Sequence, residues 1–98
     1  MPDITVVFWR DIPAQVLVGR GRAAVKRQLP ERFEQAIDRA AMKAGLAGTE
    51  DYLAHWRRAS GGTAPGSDAE AAAAAADRID ADYDSDRLRR LIDTGGVA

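Results

Sequence analysis

Apolar and polar side chains begin to alternate at the third residue. In Ile4-Thr5-Val6-Val7-Phe8-Trp9, the set Ile4, Val6, Phe8 falls on one face and Thr5, Val7, Trp9 on the other, the period of a β-strand. These residue types suit a pleated, half-buried surface. Arg10-Asp11-Ile12-Pro13 interrupts the run; Pro13 has no N–H and steers Ile12 away from the helical region. Ala14–Val18 supplies a second run, with Val16 and Val18 on one face, and Gly19 and Gly21 end it. Residues 3–20 therefore predict a β-hairpin, which alone is marginally stable and must pack on something. Residues 22–29 admit a short third strand or one helical turn, and the strand is preferred.

The period changes after Pro30. Phe33, Ala36, Ile37, Ala40, Ala41 and Ala44 recur at spacings of three and four, predicting a helix over 31–44 with one apolar stripe. Glu31 and Glu34 sit near its positive N-terminal end, Lys43 lies in its last turn and Gly45 is a natural C-cap. Thr49 is read as the cap of a second helix over 50–59, carrying Tyr52, Leu53 and Trp56 as an apolar cluster. Ser60-Gly-Gly-Thr-Ala-Pro-Gly-Ser67 then reads as a linker. Ser67-Asp-Ala-Glu70 has the S-x-x-E form of a capping box, so a long helix is expected from 68 to about 83, continuing or restarting over 86–93. Its first half is almost pure alanine, with strong helix propensity and little to bury.

The expected fold class is α+β: an antiparallel hairpin, with a third short strand preferred, covered on one face by helices 31–44 and 50–59. The expected organisation is a domain over 1–59, a linker over 60–67 and a helical extension over 68–98. The chain has 98 residues, no Cys and one His. Disulfide scaffolds, thiolate metal sites and cysteine catalysis are thereby excluded, as is a two-histidine metal site within one copy. No cofactor is expected. No apolar run is long enough to span a bilayer and the N-terminus lacks leader-like features, so a cytoplasmic protein without membrane contact is the expectation.

A formal net charge of −1 conceals an uneven distribution. Residues 1–45 carry +3, residues 46–66 are neutral and residues 67–98 carry −4. The simplest account is an acidic tail folded over a basic N-terminal part. Nucleic acid is not an expected partner, because aromatics are few and the chain is not strongly basic.

No motif reads as a catalytic set. Asp80, Asp82, Asp84 and Asp86 alternate as in a calcium loop, but Ser85 and Leu91 stand where that loop needs Gly and Glu, so solvated helix faces are the better account. His55 has no triad-like neighbours. Two features remain. Gly19-Arg20-Gly21-Arg22, followed by Lys26-Arg27, offers arginines and backbone N–H groups to an anion. Trp9-Arg10-Asp11 places a tryptophan, a guanidinium and a carboxylate at a rigid hairpin tip, and Trp and Arg dominate interface hot spots. Burial of Trp9 in the core weighs against the second reading.

Phe8-Trp-Arg-Asp-Ile-Pro-Ala-Gln-Val16, Leu29-Pro-Glu-Arg-Phe33, Ala36-Ile-Asp-Arg-Ala-Ala-Met42 and Tyr52-Leu-Ala-His-Trp-Arg57 together resemble the small virulence factor domain family, over about residues 3–58. The domain also occurs within conserved virulence factor C. The resemblance implies no catalytic residues; the company such domains keep implies an accessory role beside metal-cluster or one-carbon proteins. The leading expectation is a non-enzymatic binding domain that docks a protein partner through Trp9, Arg10 and Asp11 with Arg20, Arg22 and Arg32 nearby. The rival is a small-anion or cofactor-handling subunit using Arg20, Arg22, Lys26, Arg27 and Arg32. Self-association through an exposed hairpin edge is a third.

Overall fold

The computed structural model describes all 98 residues. The hairpin forms as the alternation predicts: β1 (Asp3–Trp9) pairs antiparallel with β2 (Ile12–Val18). Pro13 sits at the second position of β2, beside a bulge at Ala14, where the register slips between Val7 and Phe8. The two-residue turn demands a positive φ, and Arg10 supplies it at 53°. That conformation costs a non-glycine residue on the order of 1–2 kcal/mol. A 3₁₀ turn (Gly21–Ala23) leads into β3 (Val25–Gln28), the preferred short third strand, which pairs with β2.

Helix α1 (Glu31–Lys43) matches the apolar stripe, with Phe33, Ala36, Ile37, Ala40 and Ala41 buried. The expected helix over 50–59 is corrected. Thr49 does cap a helix, accepting a bond from the Tyr52 backbone N–H, but α2 spans only Glu50–Ala54. From Trp56 the chain turns extended, and β4 (Trp56–Thr63) pairs with β1. The first four residues of the expected linker, Ser60–Thr63, thus belong to the sheet, whose strand order is β3-β2-β1-β4. The physical reason is the unpaired edge of β1: its backbone groups need partners, and that demand overrides the helical spacing of Tyr52, Leu53 and Trp56. Gly61 serves this pairing. A Cβ there would stand 2.8 Å from the Ile4 Cγ2 and 2.9 Å from the Val6 Cγ2, so only glycine lets β4 close on those side chains.

Helix α3 (Asp68–Asp82) starts at the predicted capping box, with both reciprocal bonds between Ser67 and Glu70 formed. A break at Tyr83 and Asp84 separates it from α4 (Ser85–Asp93), which Asp84 caps through the Arg87 backbone N–H. The alanine run is not idle. Ala71, Ala72, Ala75 and Ala76 are buried, and α3 packs against β2 and β3 while α4 packs on α1. Small side chains let the helix axis approach the sheet closely, so dispersion contacts replace large apolar groups. One continuous core joins Ile4, Val6, Val16, Val18, Phe33 and Ile37 to Ala71, Ala72, Ala75, Ala76, Leu88 and Leu91. The apolar core therefore crosses the expected 1–59 and 68–98 boundary.

Candidate functional site

Register decides which side chains share a face. Ile4 faces Val18 and Val6 faces Val16 on the helix-covered side, while Thr5, Val7, Gln15 and Leu17 point the other way. On the outer pair, Phe8 faces Arg57, and Val7 faces Arg58. The hairpin tip therefore presents different chemistry on its two sides.

Trp9 offers a partner no surface, because it is fully buried. Its indole N–H donates to the Tyr52 carbonyl at 2.8 Å. The ring stacks on Tyr52 at 5.5 Å and meets His55 edge-on. Gly96 closes the other side, where a Cβ would stand 2.8 Å from the Trp9 ring. This corrects the expectation of Trp9 as a contact residue: it is a core anchor. Arg10 is turned inward. It donates to the Gly95 carbonyl at 2.9 Å, lies 3.2 Å from His55 Nε2 and rests over the Trp9 ring. Its backbone N–H donates to the His55 carbonyl. These bonds hold the strained turn.

Asp11 is the tip residue that reaches an open site. It pairs with Arg57 at 3.2 Å and accepts from the Ala98 backbone N–H at 2.7 Å. Around this pair lies a pocket of about 590 Å³, walled by Phe8, Tyr83 and Leu91 and carrying Arg57, Arg87 and Arg90. Arg57 lies over the Phe8 ring at 4.5 Å and Arg87 over the Tyr83 ring at 3.8 Å. Arg87 also donates to the Asp82 carbonyl at 3.3 Å. Three guanidiniums therefore face one side-chain carboxylate, and Arg90 has no ion pair. Ring faces hold the first two guanidiniums in fixed planes, which suits bidentate recognition of a carboxylate or phosphate.

The other sequence candidates do not gather here. Arg20 and Arg22 are exposed at the far end of the hairpin from the tip. Arg20 shares an open polar hollow with Lys26 and Arg58, where Asp3 and Asp68 offset the charge. Arg32 is committed within the fold: it pairs with Asp80 at 2.6 Å and donates to the carbonyls of Tyr83 and Asp80. That pairing ties the acidic tail to the basic part, as the charge distribution suggested. The alternating aspartates serve separately, Asp80 on Arg32, Asp84 as a cap and Asp86 beside Arg89. Sequence reasoning missed Arg57, Arg87 and Arg90. Arg57 was assigned to a helix, and the two tail arginines lay in a segment read for its negative total.

A family model described as "Virulence factor" matches residues 7–92. The chain belongs to the virulence factor family. The match runs well past residue 58, where the resemblance was expected to end, and takes in β4, α3 and most of α4. That span fits the single core that these elements share. No curated protein and no solved structure matches this virulence factor domain. No helix in it is long and apolar enough to cross a membrane.

Proposed function

We propose that this virulence factor domain is a non-enzymatic accessory domain that docks a protein partner beside the hairpin tip, through an acidic segment of that partner. The observation that supports this most is the excess of guanidinium over carboxylate in the pocket of Arg57, Arg87 and Arg90. Trp9 and Arg10 contribute by fixing the turn, Asp11 by orienting Arg57. The test is affinity purification of the intact protein from its own cells, alongside an Arg87→Glu/Arg90→Glu variant and an Arg22→Glu control. A partner recovered by the unaltered chain and the control, and lost by the double variant, is the expected result. Equal recovery by all three refutes the assignment to this pocket.

A second reading is supported by the size of the pocket. About 590 Å³ lies within the range typical of small-ligand sites, and its apolar walls suit a carboxylate- or phosphate-bearing molecule with a flat body. This is the anion- or cofactor-handling accessory subunit, linked to one-carbon or metal-cluster metabolism, with Arg57, Arg87 and Arg90 in place of the expected Arg20, Arg22, Lys26, Arg27 and Arg32. It predicts thermal stabilisation by phosphorylated or folate-like compounds, abolished in the same double variant.

A further inference from the structure

The chain has six aromatic rings. Four carry an arginine guanidinium of the chain itself: Arg10 over Trp9, Arg32 over Phe33, Arg57 over Phe8 and Arg87 over Tyr83, at 3.8–5.2 Å. The two without one are Tyr52 and Trp56. They meet edge to face at 6.1 Å, and both line a groove of about 550 Å³ on the side of β1 and β4 opposite the arginine pocket. Val7, Leu29 and Ile37 lie in it, and Glu31, Glu34 and Asp38 bring three carboxylates from one face of α1. No Lys, Arg or His lines it, and none of the three carboxylates is in an ion pair.

The field in the groove is registered by Tyr52. Burial first, then the charges of Asp38 and Glu34, hold its hydroxyl above the ordinary tyrosine range. Trp56 is 37% exposed, an unusual state for a large ring, and Met42 is 70% exposed. Met42 shares an adjoining hollow of about 360 Å³ with Asp38 and Tyr52. A part-exposed aromatic ring, unpaired carboxylates and an apolar side chain at the margin match one kind of guest. A cation lies over the ring, its charge meets the carboxylates, and the chain that bears it covers Met42.

We propose that this groove binds an arginine or lysine side chain of a basic protein segment, with Trp56 as the ring beneath the cation and Glu34 and Asp38 as its counter-charges. The apolar margin at Met42 favours a protein-borne cation, whose neighbouring apolar side chains can cover it more fully than the short methylene spacers of a free polyamine. The site is separate from the arginine pocket, and neither proposal depends on the other.

The test titrates the full chain, at low ionic strength, into a labelled hexa-arginine peptide followed by fluorescence anisotropy, with hexaglutamate and spermidine as competitors. The expected result is saturable binding, weakened about tenfold in Trp56→Ala and about fivefold in Glu34→Gln/Asp38→Asn, as loss of a cation–π face and of counter-charge requires. Trp56→Phe, which restores a ring face, should keep most of the affinity, and Arg87→Glu/Arg90→Glu should not weaken it. Far-UV circular dichroism verifies that each variant is folded. Absence of binding, or equal binding by Trp56→Ala, overturns the proposal. Displacement by spermidine at concentrations below those at which the peptide itself binds reassigns the groove to small polyamines and overturns the protein partner.

Discussion

Replacing Trp9 with Phe separates a core role from a contact role for this residue. The substitution deletes the indole N–H that donates to the Tyr52 carbonyl at 2.8 Å. That carbonyl then keeps only a long contact of 3.4 Å from the His55 backbone N–H. Loss of one buried bond costs about 1 kcal/mol. The smaller ring also leaves part of a fully enclosed space unfilled, between Tyr52 on one side and Gly96 on the other. Removing part of a buried side chain without collapse adds about 1–2 kcal/mol. The sum, about 2–3 kcal/mol, is a large part of the 5–15 kcal/mol that stabilises a typical domain. It lowers Tm by about 10–20 °C in a chain of this size. Urea unfolding followed by far-UV circular dichroism measures it, with Trp56→Phe, at a half-exposed ring, expected to stay within about 0.5 kcal/mol of the unaltered chain. A Trp9→Phe loss below about 0.5 kcal/mol would falsify the core assignment. For the same reason Trp9→Ala is a poor probe of partner binding, since it removes about 3–5 kcal/mol of packing.

Gly61→Ala forces a methyl into contact with Ile4 and Val6 and should destabilise by about 1–3 kcal/mol through overpacking, read as a lower midpoint in urea. Ser67→Ala breaks the capping box at α3, a loss of about 1 kcal/mol by the same measurement. The bonds from the Ser67 backbone and side chain hold the Glu70 carboxyl below its ordinary value. Its stabilising effect is therefore present above the unfolded-chain pKa and lost as pH falls through the lower folded value. Glu70→Gln should flatten that acid limb. Tyr52 shows the opposite sign: its hydroxyl is raised, so the folded state holds its proton longer. Stability is retained below the unfolded-chain value and falls as pH rises through the folded one. Tyr52→Phe should remove that alkaline decline, and tyrosinate absorbance should show one tyrosine titrating late.

The parts of the fold that were legible in the sequence are those where local pattern and tertiary demand agree. The three-four spacing from Phe33 to Ala41 buries the face it predicts, and alternation does so for Ile4 and Val6; past the slip in register between Val7 and Phe8, Phe8 is only half-buried and Trp9, from the opposite set, is fully buried. The Ser67 and Glu70 pair is a local bond network and needs no tertiary help. β4 was illegible because Trp56-Arg-Arg-Ala-Ser-Gly-Gly-Thr63 has no β-branched run and only partial burial. It is a strand because β1 has an edge to satisfy. The alanines of α3 looked like a helix with nothing to bury, since hydropathy counts side-chain size and not closeness of approach. In the candidate site, Asp11 was legible as a turn residue at the tip. Its partner Arg57 was not, because the pairing depends on β4.

That one missed strand builds both pockets. On a helix, Trp56 and Arg57 would stand about 100° apart and share a surface. On a strand they point to opposite sides, so Arg57 joins Phe8 in the arginine pocket and Trp56 joins Val7 in the carboxylate groove. The charges in those pockets also invert the linear arithmetic. The N-terminal region of +3 supplies Glu31, Glu34 and Asp38 to the acidic groove, while the tail of −4 supplies Arg87 and Arg90 to the basic pocket. Arg32 and Asp80 neutralise each other elsewhere, while the minority charge of each region lines a pocket. Segment totals report which groups the fold must pair. Which charges gather in a pocket is set instead by the register of β1 and β4.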